Sequence, residues 1–284
     1  MKRSLILLAC IFAFATSFAQ RPTAKKDQFA NFLNSTMYVV TDNNPTSEYN
    51  EMIKECVRKS WRITKYDFID QSEFESKRTD PNSSFLIVSE VKFPSEKNVA
   101  TYDFISIILG GNYPSINEMP EVCTFPLNYT DAGDDNSVYK LPVIIGFFNQ
   151  HIKNIQENPK LLKDKKYKFY TKQKKNIAKK TFYLVADEQL PDLNTAQKIR
   201  PSYSGKIVMI GQDELANLIR KRATNVVFLH KVGPSDPALL GTRCYIIVMG
   251  TDNTLYYFNY HKISASAPNG LTAKLWSVFA SFVN

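Results

Sequence analysis

Three histidines (His151, His230 and His261), two acidic pairs (Asp134-Asp135 and Asp187-Glu188) and the cysteines Cys56, Cys123 and Cys244 are the side chains here best suited to chemistry. A zinc site needs three or four His, Cys or carboxylate ligands converging on one point. His151 falls beside the apolar stripe of an expected helix. His230 and His261 fall near the ends of strands that could be neighbours, which gives two ligands and no third. Glycoside hydrolysis needs two carboxylates facing each other across a cleft. Both acidic pairs sit in expected loops or strand ends, where solvated turn residues are the ordinary outcome. A catalytic cysteine needs an exposed, activated thiol. Cys56 lies on a helix stripe and Cys244 starts an apolar strand, so both read as small buried hydrophobes. Cys123 is the one thiol that could lie outside regular structure, and a bridge from it to Cys56 or Cys244 stays open. The chain has no Gly-x-Ser-x-Gly elbow, P-loop, His-Glu-x-x-His or dinucleotide fingerprint. No residue is therefore assigned a catalytic, cofactor-binding or metal-ligating role, and the chain is expected not to be an enzyme.

Charge is the next lead. The formal net charge is +9 over 284 residues, which at first suggests a polyanionic partner. Its distribution narrows that. Glu157 to Lys180 holds ten lysines against Glu157 and Asp164, a net +8. Without this segment, Lys2 and Arg3, the chain sums to −1. The segment contains no arginine, the usual choice for specific phosphate recognition. It reads as a solvated, self-repelling linker over 157–180, with contact to an anionic surface as the competing reading. No nucleic-acid partner is expected.

The amino terminus has the pattern of an export signal. Lys2 and Arg3 precede an uncharged apolar run from Leu5 to Phe18, and Ser17-Phe18-Ala19 places small residues before a cut at Gln20. Residues 1–19 are thus expected to be removed and the chain to be periplasmic or secreted. Leu7-Leu8-Ala9-Cys10 also spells a lipobox, but a cut there would leave an apolar stretch shorter than usual. No later stretch reaches the ~20 apolar residues of a membrane span.

The elements that would position these side chains come in two similar sets. Thr36-Met-Tyr-Val-Val-Thr-Asp42 matches Thr181-Phe-Tyr-Leu-Val-Ala-Asp187, and Phe68-Ile-Asp-Gln-Ser-Glu-Phe74 matches Met209-Ile-Gly-Gln-Asp-Glu-Leu215. The second match has an offset of 141 residues, which persists when Val91 is laid on Val232 and becomes 140 for Gly110 on Gly250. Ordered matches at nearly constant spacing imply duplication. In the first set, Tyr49, Met52, Ile53, Cys56, Val57 and Trp61 make one helix face, and Leu141, Ile144, Ile145, Phe148, Ile152 and Ile155 make another. In the second set, Pro191 and Pro201 shorten or break the first helix. Asp252-Asn253 turns a hairpin from Arg243–Met249 to Leu255–Tyr260. Alternation there predicts Tyr256, Phe258 and Tyr260 on one face and Tyr257 on the other. The order is β-α-β-α-β-β-β-α, twice: an α/β class with mixed sheets covered by helices, over 36–156 and 181–284.

This order, carried by Tyr38-Val39-Val40 with its helix, Phe68-Ile69-Asp70 and the Cys244–Tyr260 hairpin, resembles the small amino-terminal α/β domain of the Tol-system β-propeller protein and the periplasmic domain of the curli secretion pore. The chain is also similar to a family of uncharacterised secreted bacterial proteins that open with Tyr-x-Val-x-Asp and a Tyr-Asn helix, here Tyr49-Asn50. The resemblance implies an envelope assembly or partner-docking module, and the tyrosine-rich strand from Tyr256 to Tyr260 has a face that could take an envelope protein or glycan partner. The expected function is a non-catalytic exported binding module. The alternative is a hydrolase of an uncommon type with its site between the repeats.

Overall fold

A computed structural model describes residues 21–96, 100–130, 135–234 and 239–281. The export signal, Cys10 and Asp134 lie outside the described residues. A short helix α1 (Lys26–Phe32) precedes the first repeat, with Phe29 and Phe32 buried. The repeat runs β1 (Thr36–Val40), α2 (Glu48–Ser60), β2 (Lys65–Ile69), α3 (Gln71–Lys77), β3 (Ser83–Lys92), β4 (Thr101–Leu109) and β5 (Glu121–Tyr129). A single turn α4 (Asp135–Val138) and the long helix α5 (Leu141–Glu157) complete it. The second repeat has β6 (Thr181–Val185), a broken crossover ending in α6 (Ala196–Ile199), β7 (Lys206–Ile210) and α7 (Gln212–Arg220). It ends with β8 (Val226–Val232), β9 (Arg243–Gly250), β10 (Leu255–Lys262) and α8 (Ala273–Ala280). No helix among the described residues is long and apolar enough to cross a membrane.

Each repeat forms a five-stranded mixed sheet, in order β2-β1-β3-β4-β5 and β7-β6-β8-β9-β10. The first strand of each pairs in parallel with the next two, and the rest pair antiparallel. Register repeats too: Thr36 faces Lys65 as Thr181 faces Lys206, and Val40 faces Ile69 as Val185 faces Ile210. Two of the sequence matches shift. Thr36 faces Ser83 as Thr181 faces Val226, so Val91 does not correspond to Val232. Phe85 faces Ile108 as Phe228 faces Met249, which puts Leu109, not Gly110, in the place of Gly250.

The repeats share one core. One face of the first sheet, including Met37, Val39 and Ile107, packs with Ile53 and Val57 of α2 and with α5. The same cluster contains Val185, Phe228, Ile247 and Met249 from one face of the second sheet, and Leu215 and Ile219 from α7. The opposite face of that sheet, including Phe182, Leu184, Ile246 and Val248, packs on Ile199, Trp276 and Phe279. Helix α5 therefore lies between the two repeats. Ten of its 17 residues are buried: Leu141–Phe148 is apolar on every side, while the second half keeps Gln150, Lys153, Gln156 and Glu157 exposed. At Gly146 an added Cβ would run into the Asn253 side chain of the β9–β10 turn, so the close approach of that turn needs glycine.

The lysine-rich segment departs most from expectation. It is not solvated linker but two 3-10 stretches, Pro159–Lys163 and Lys168–Lys179. Leu161, Leu162, Tyr167, Tyr170 and Ile177 are buried and anchor it. The Asp164 carboxylate accepts the backbone N–H groups of Lys168 and Phe169 at 2.9 and 2.8 Å, capping the second stretch.

Candidate functional site

The long strands of the first sheet run toward β9 and β10, and a cleft of about 370 Å³ opens between the two repeats there. That size is within the ~300–1,000 Å³ range of small-molecule sites. The first sheet brings Val91, Phe93, Phe104, Thr124 and Pro126, and the second brings Tyr245, Phe258 and Tyr260. Arg21, Lys165, Lys166 and Arg243 supply positive charge. Glu121 is the lining carboxylate. It is committed to cations, with Arg21 at 3.9 Å and Lys165 in direct contact. The cleft thus joins aromatic walls to an excess of positive charge.

Each cation is held differently. Arg21 is buried and donates to Ser89 Oγ at 2.9 Å and to the Ile116 carbonyl at 3.2 Å. Burial lowers its pKa and Glu121 partly offsets that, but a guanidinium stays charged regardless. Arg243 lies 3.5 Å over the Phe93 ring and 5.2 Å from the Tyr260 centroid, a cation–π stack. Its guanidinium also donates to Glu96 at 2.8 Å, while its Nε has no hydrogen-bond partner. Burial raises the Glu96 carboxyl, against the pull of Tyr102 and Arg243. Lys166 is exposed at the mouth and lies 5.4 Å from the Tyr260 centroid.

The side chains singled out for chemistry do not meet here. His151 is buried and bonds Tyr170 Oη through Nδ1 at 2.8 Å, with its ring stacked on Phe147. His230 is fully buried, stacked on Phe125, and donates from Nε2 to the Pro126 carbonyl at 2.9 Å. His261 donates from Nε2 to the Pro268 carbonyl at 2.8 Å. Strands β8 and β10 are not neighbours, because β9 lies between them. Cys56, Cys123 and Cys244 are unbridged and buried. Cys123 lies within β5, not in a loop. Burial raises Cys56 and Cys244 to about 12 and Cys123 well above its ordinary value. These are inert thiols rather than nucleophiles. Glu188 is no solvated turn residue: it receives the buried Lys140 ammonium at 2.6 Å. The Ser202–Gly205 stretch and Gly110-Gly111 lie outside helices and strands.

The tyrosine-rich strand needs a correction. A bulge between Leu255 and Tyr257 breaks the alternation. Tyr256 and Tyr257 both pack toward the α8 side, while Phe258 and Tyr260 face the first repeat and the cleft.

Fold and cleft together define a two-repeat mixed α/β protein with an aromatic, cationic inter-repeat pocket. No family model, curated protein or solved structure matches the chain.

Proposed function

We propose that this chain is a non-catalytic exported binding module, periplasmic or secreted, whose ligand site is the cleft between the repeats. The ligand is an anion with an apolar or aromatic body. One observation carries the reading: Phe93, Phe104, Tyr245, Phe258 and Tyr260 line the same space as Arg21, Lys165, Lys166 and Arg243. Aromatic faces take up apolar groups, and rigid cations fix an acidic end. The export pattern of residues 1–19 and the resemblance in element order support an envelope setting. The hydrolase alternative would place acid, base and nucleophile around one bond. The lining supplies Glu121, already tied to two cations, and none of the three histidines.

Fluorescence titration with 8-anilinonaphthalene-1-sulfonate and the uncharged N-phenyl-1-naphthylamine tests this. Both should bind saturably. Lys166→Glu should weaken the anionic probe roughly two- to tenfold, the scale of an exposed charge contact, and leave the neutral one nearly unchanged. Phe258→Ala should weaken both. Absence of saturable binding, or equal effects of Lys166→Glu on both probes, refutes the site. Turnover of a p-nitrophenyl ester that is lost in Glu121→Gln would refute the non-catalytic reading.

A further inference from the structure

The ten lysines of the 157–180 segment are fixed to a packed scaffold. Lys160, Lys163, Lys166, Lys168, Lys172, Lys175 and Lys179 are exposed. Among the described residues none of these seven forms an ion pair. Two further lysines are already used: Lys165 contacts Glu121, and Lys180 meets Asp252 at 3.2 Å.

The 3-10 geometry aligns the free charges. With three residues per turn, side chains at i and i+3 eclipse. Lys160 and Lys163 share one 3-10 stretch, and Lys172 and Lys175 share the other, so each pair stands on one line. Inward anchors at Leu161, Leu162, Tyr170 and Ile177 keep those lines turned outward. The local acids do little to neutralise them. Asp164 is spent on the backbone cap, and Glu157 lies at the end of α5. A solvated linker relieves such repulsion by extending. This segment cannot extend without exposing its apolar anchors. Its charge is therefore concentrated on a rigid ridge, with a counter-charge left for something outside the chain to supply.

We infer that this ridge is a docking surface for an anionic lipid bilayer. The choice of lipid rests on the proposed cleft, because the ridge runs into its mouth. Lys165 and Lys166 line the aromatic pocket and are continuous with the exposed lysines on either side. A surface that concentrates acidic amphiphiles would present them next to the pocket that accepts one. Clusters of four to eight lysines suit anionic bilayers. The absence of arginine fits delocalised attraction better than the gripping of one phosphate.

Co-sedimentation of the full chain with phosphatidylcholine vesicles, with and without phosphatidylglycerol, tests the ridge. Binding should require phosphatidylglycerol and fall steeply between low and high salt. The triple variant Lys172→Gln, Lys175→Gln, Lys179→Gln removes charge away from the cleft. At about fivefold per lysine it should lose roughly a hundredfold in vesicle affinity. It should still bind 8-anilinonaphthalene-1-sulfonate as wild type does, which shows an intact fold and cleft. Equal binding to uncharged vesicles, an undiminished triple variant, or binding to dextran sulfate without binding to vesicles would overturn the ridge as a lipid surface. Loss of probe binding in Phe258→Ala, with vesicle binding retained, separates a failure at the cleft from one at the ridge.

Discussion

Acid should destabilise this protein well before its carboxylates titrate, because two histidines are buried in neutral form. Burial lowers His230 to about 3, helped by the nearby Lys140 charge and opposed by its bond to Pro126. Burial lowers His151 to about 4, against Asp164. Both therefore take up protons in the unfolded chain, near pH 6.5, long before they do so in the fold. The stability they contribute is complete above pH 6.5 and is lost as pH falls toward 4 and then 3. Between pH 6.5 and 5 only the unfolded chain gains these protons, which favours it by about 1.4 kcal/mol per histidine for each pH unit. At pH 5 each group thus forfeits about 2 kcal/mol relative to pH 8. The pair loses about 4 kcal/mol, a large part of a typical total of roughly 5–15 kcal/mol. Glu96, raised by burial, acts in the opposite sense and trims this. Urea unfolding at pH 8, 6 and 5 measures the slope. His151→Phe should preserve the stack on Phe147 and remove about half of the slope between pH 6.5 and 4.5. If the slope in that variant equals wild type, the His151 ring is not the neutral group the core requires.

Other perturbations probe how the repeats are joined. Glu188→Gln strands the buried Lys140 ammonium, held above its ordinary value by Glu188 against desolvation, and should cost about 3 kcal/mol by urea unfolding. Lys140→Met removes the fully buried charge instead and strands only the less buried Glu188 carboxylate, so it should cost less, about 2 kcal/mol. A cost for Lys140→Met as large as for Glu188→Gln would contradict that asymmetry. Gly146→Ala must push Asn253 aside and should lower stability by about 1–3 kcal/mol, with recovery in Gly146→Ala, Asn253→Gly. Native protein at pH 8 should react with dithionitrobenzoate at Cys56, Cys123 and Cys244 only after denaturation, since all three thiols are buried and raised.

Periodic elements were legible in the residues. The stripes of α2 and α5 and the Asp252-Asn253 hairpin follow from spacing and turn chemistry, and the duplicated order follows from short matches. The misses share a physical cause: each depends on geometry that neither the 3.6 nor the 2.0 period encodes. The anchors Leu161, Leu162, Tyr167, Tyr170 and Ile177 sit among lysines in 3-10 turns, so composition hid a packed segment as a linker. The Leu255–Tyr257 bulge inserts one residue and redirects Tyr256, which alternation cannot foresee. The cleft was least readable. Its walls come from Arg21, the end of β3, β4, β5, the lysine segment and the β9–β10 hairpin, and no two of its charges form a motif. The available signal was indirect: aromatic crowding in β10 and the placement of arginines beside it.

The differences between the repeats account for the position of that cleft. In the first, β3, β4 and β5 run to 10, 9 and 9 residues, and in the second β8, β9 and β10 run to 7, 8 and 8. A shared core forms where α5 fills the space between the sheets, fixed by the Lys140–Glu188 pair and by the Asn253 turn over Gly146. Beyond the reach of α5, the longer strands of the first sheet meet Arg21, the hairpin and the lysine segment. The contacts there are polar and aromatic: Tyr102 Oη receives the Arg243 N–H at 2.7 Å, and Arg243 stacks on Phe93. An apolar helix could have closed this gap. Instead the gap keeps the half-buried Arg243, its Nε unpartnered, beside open aromatic faces, which are the features on which the proposed anion site rests. The two copies thus divide the work: the paired regions supply stability, and the unequal strand lengths leave a pocket that neither copy has alone.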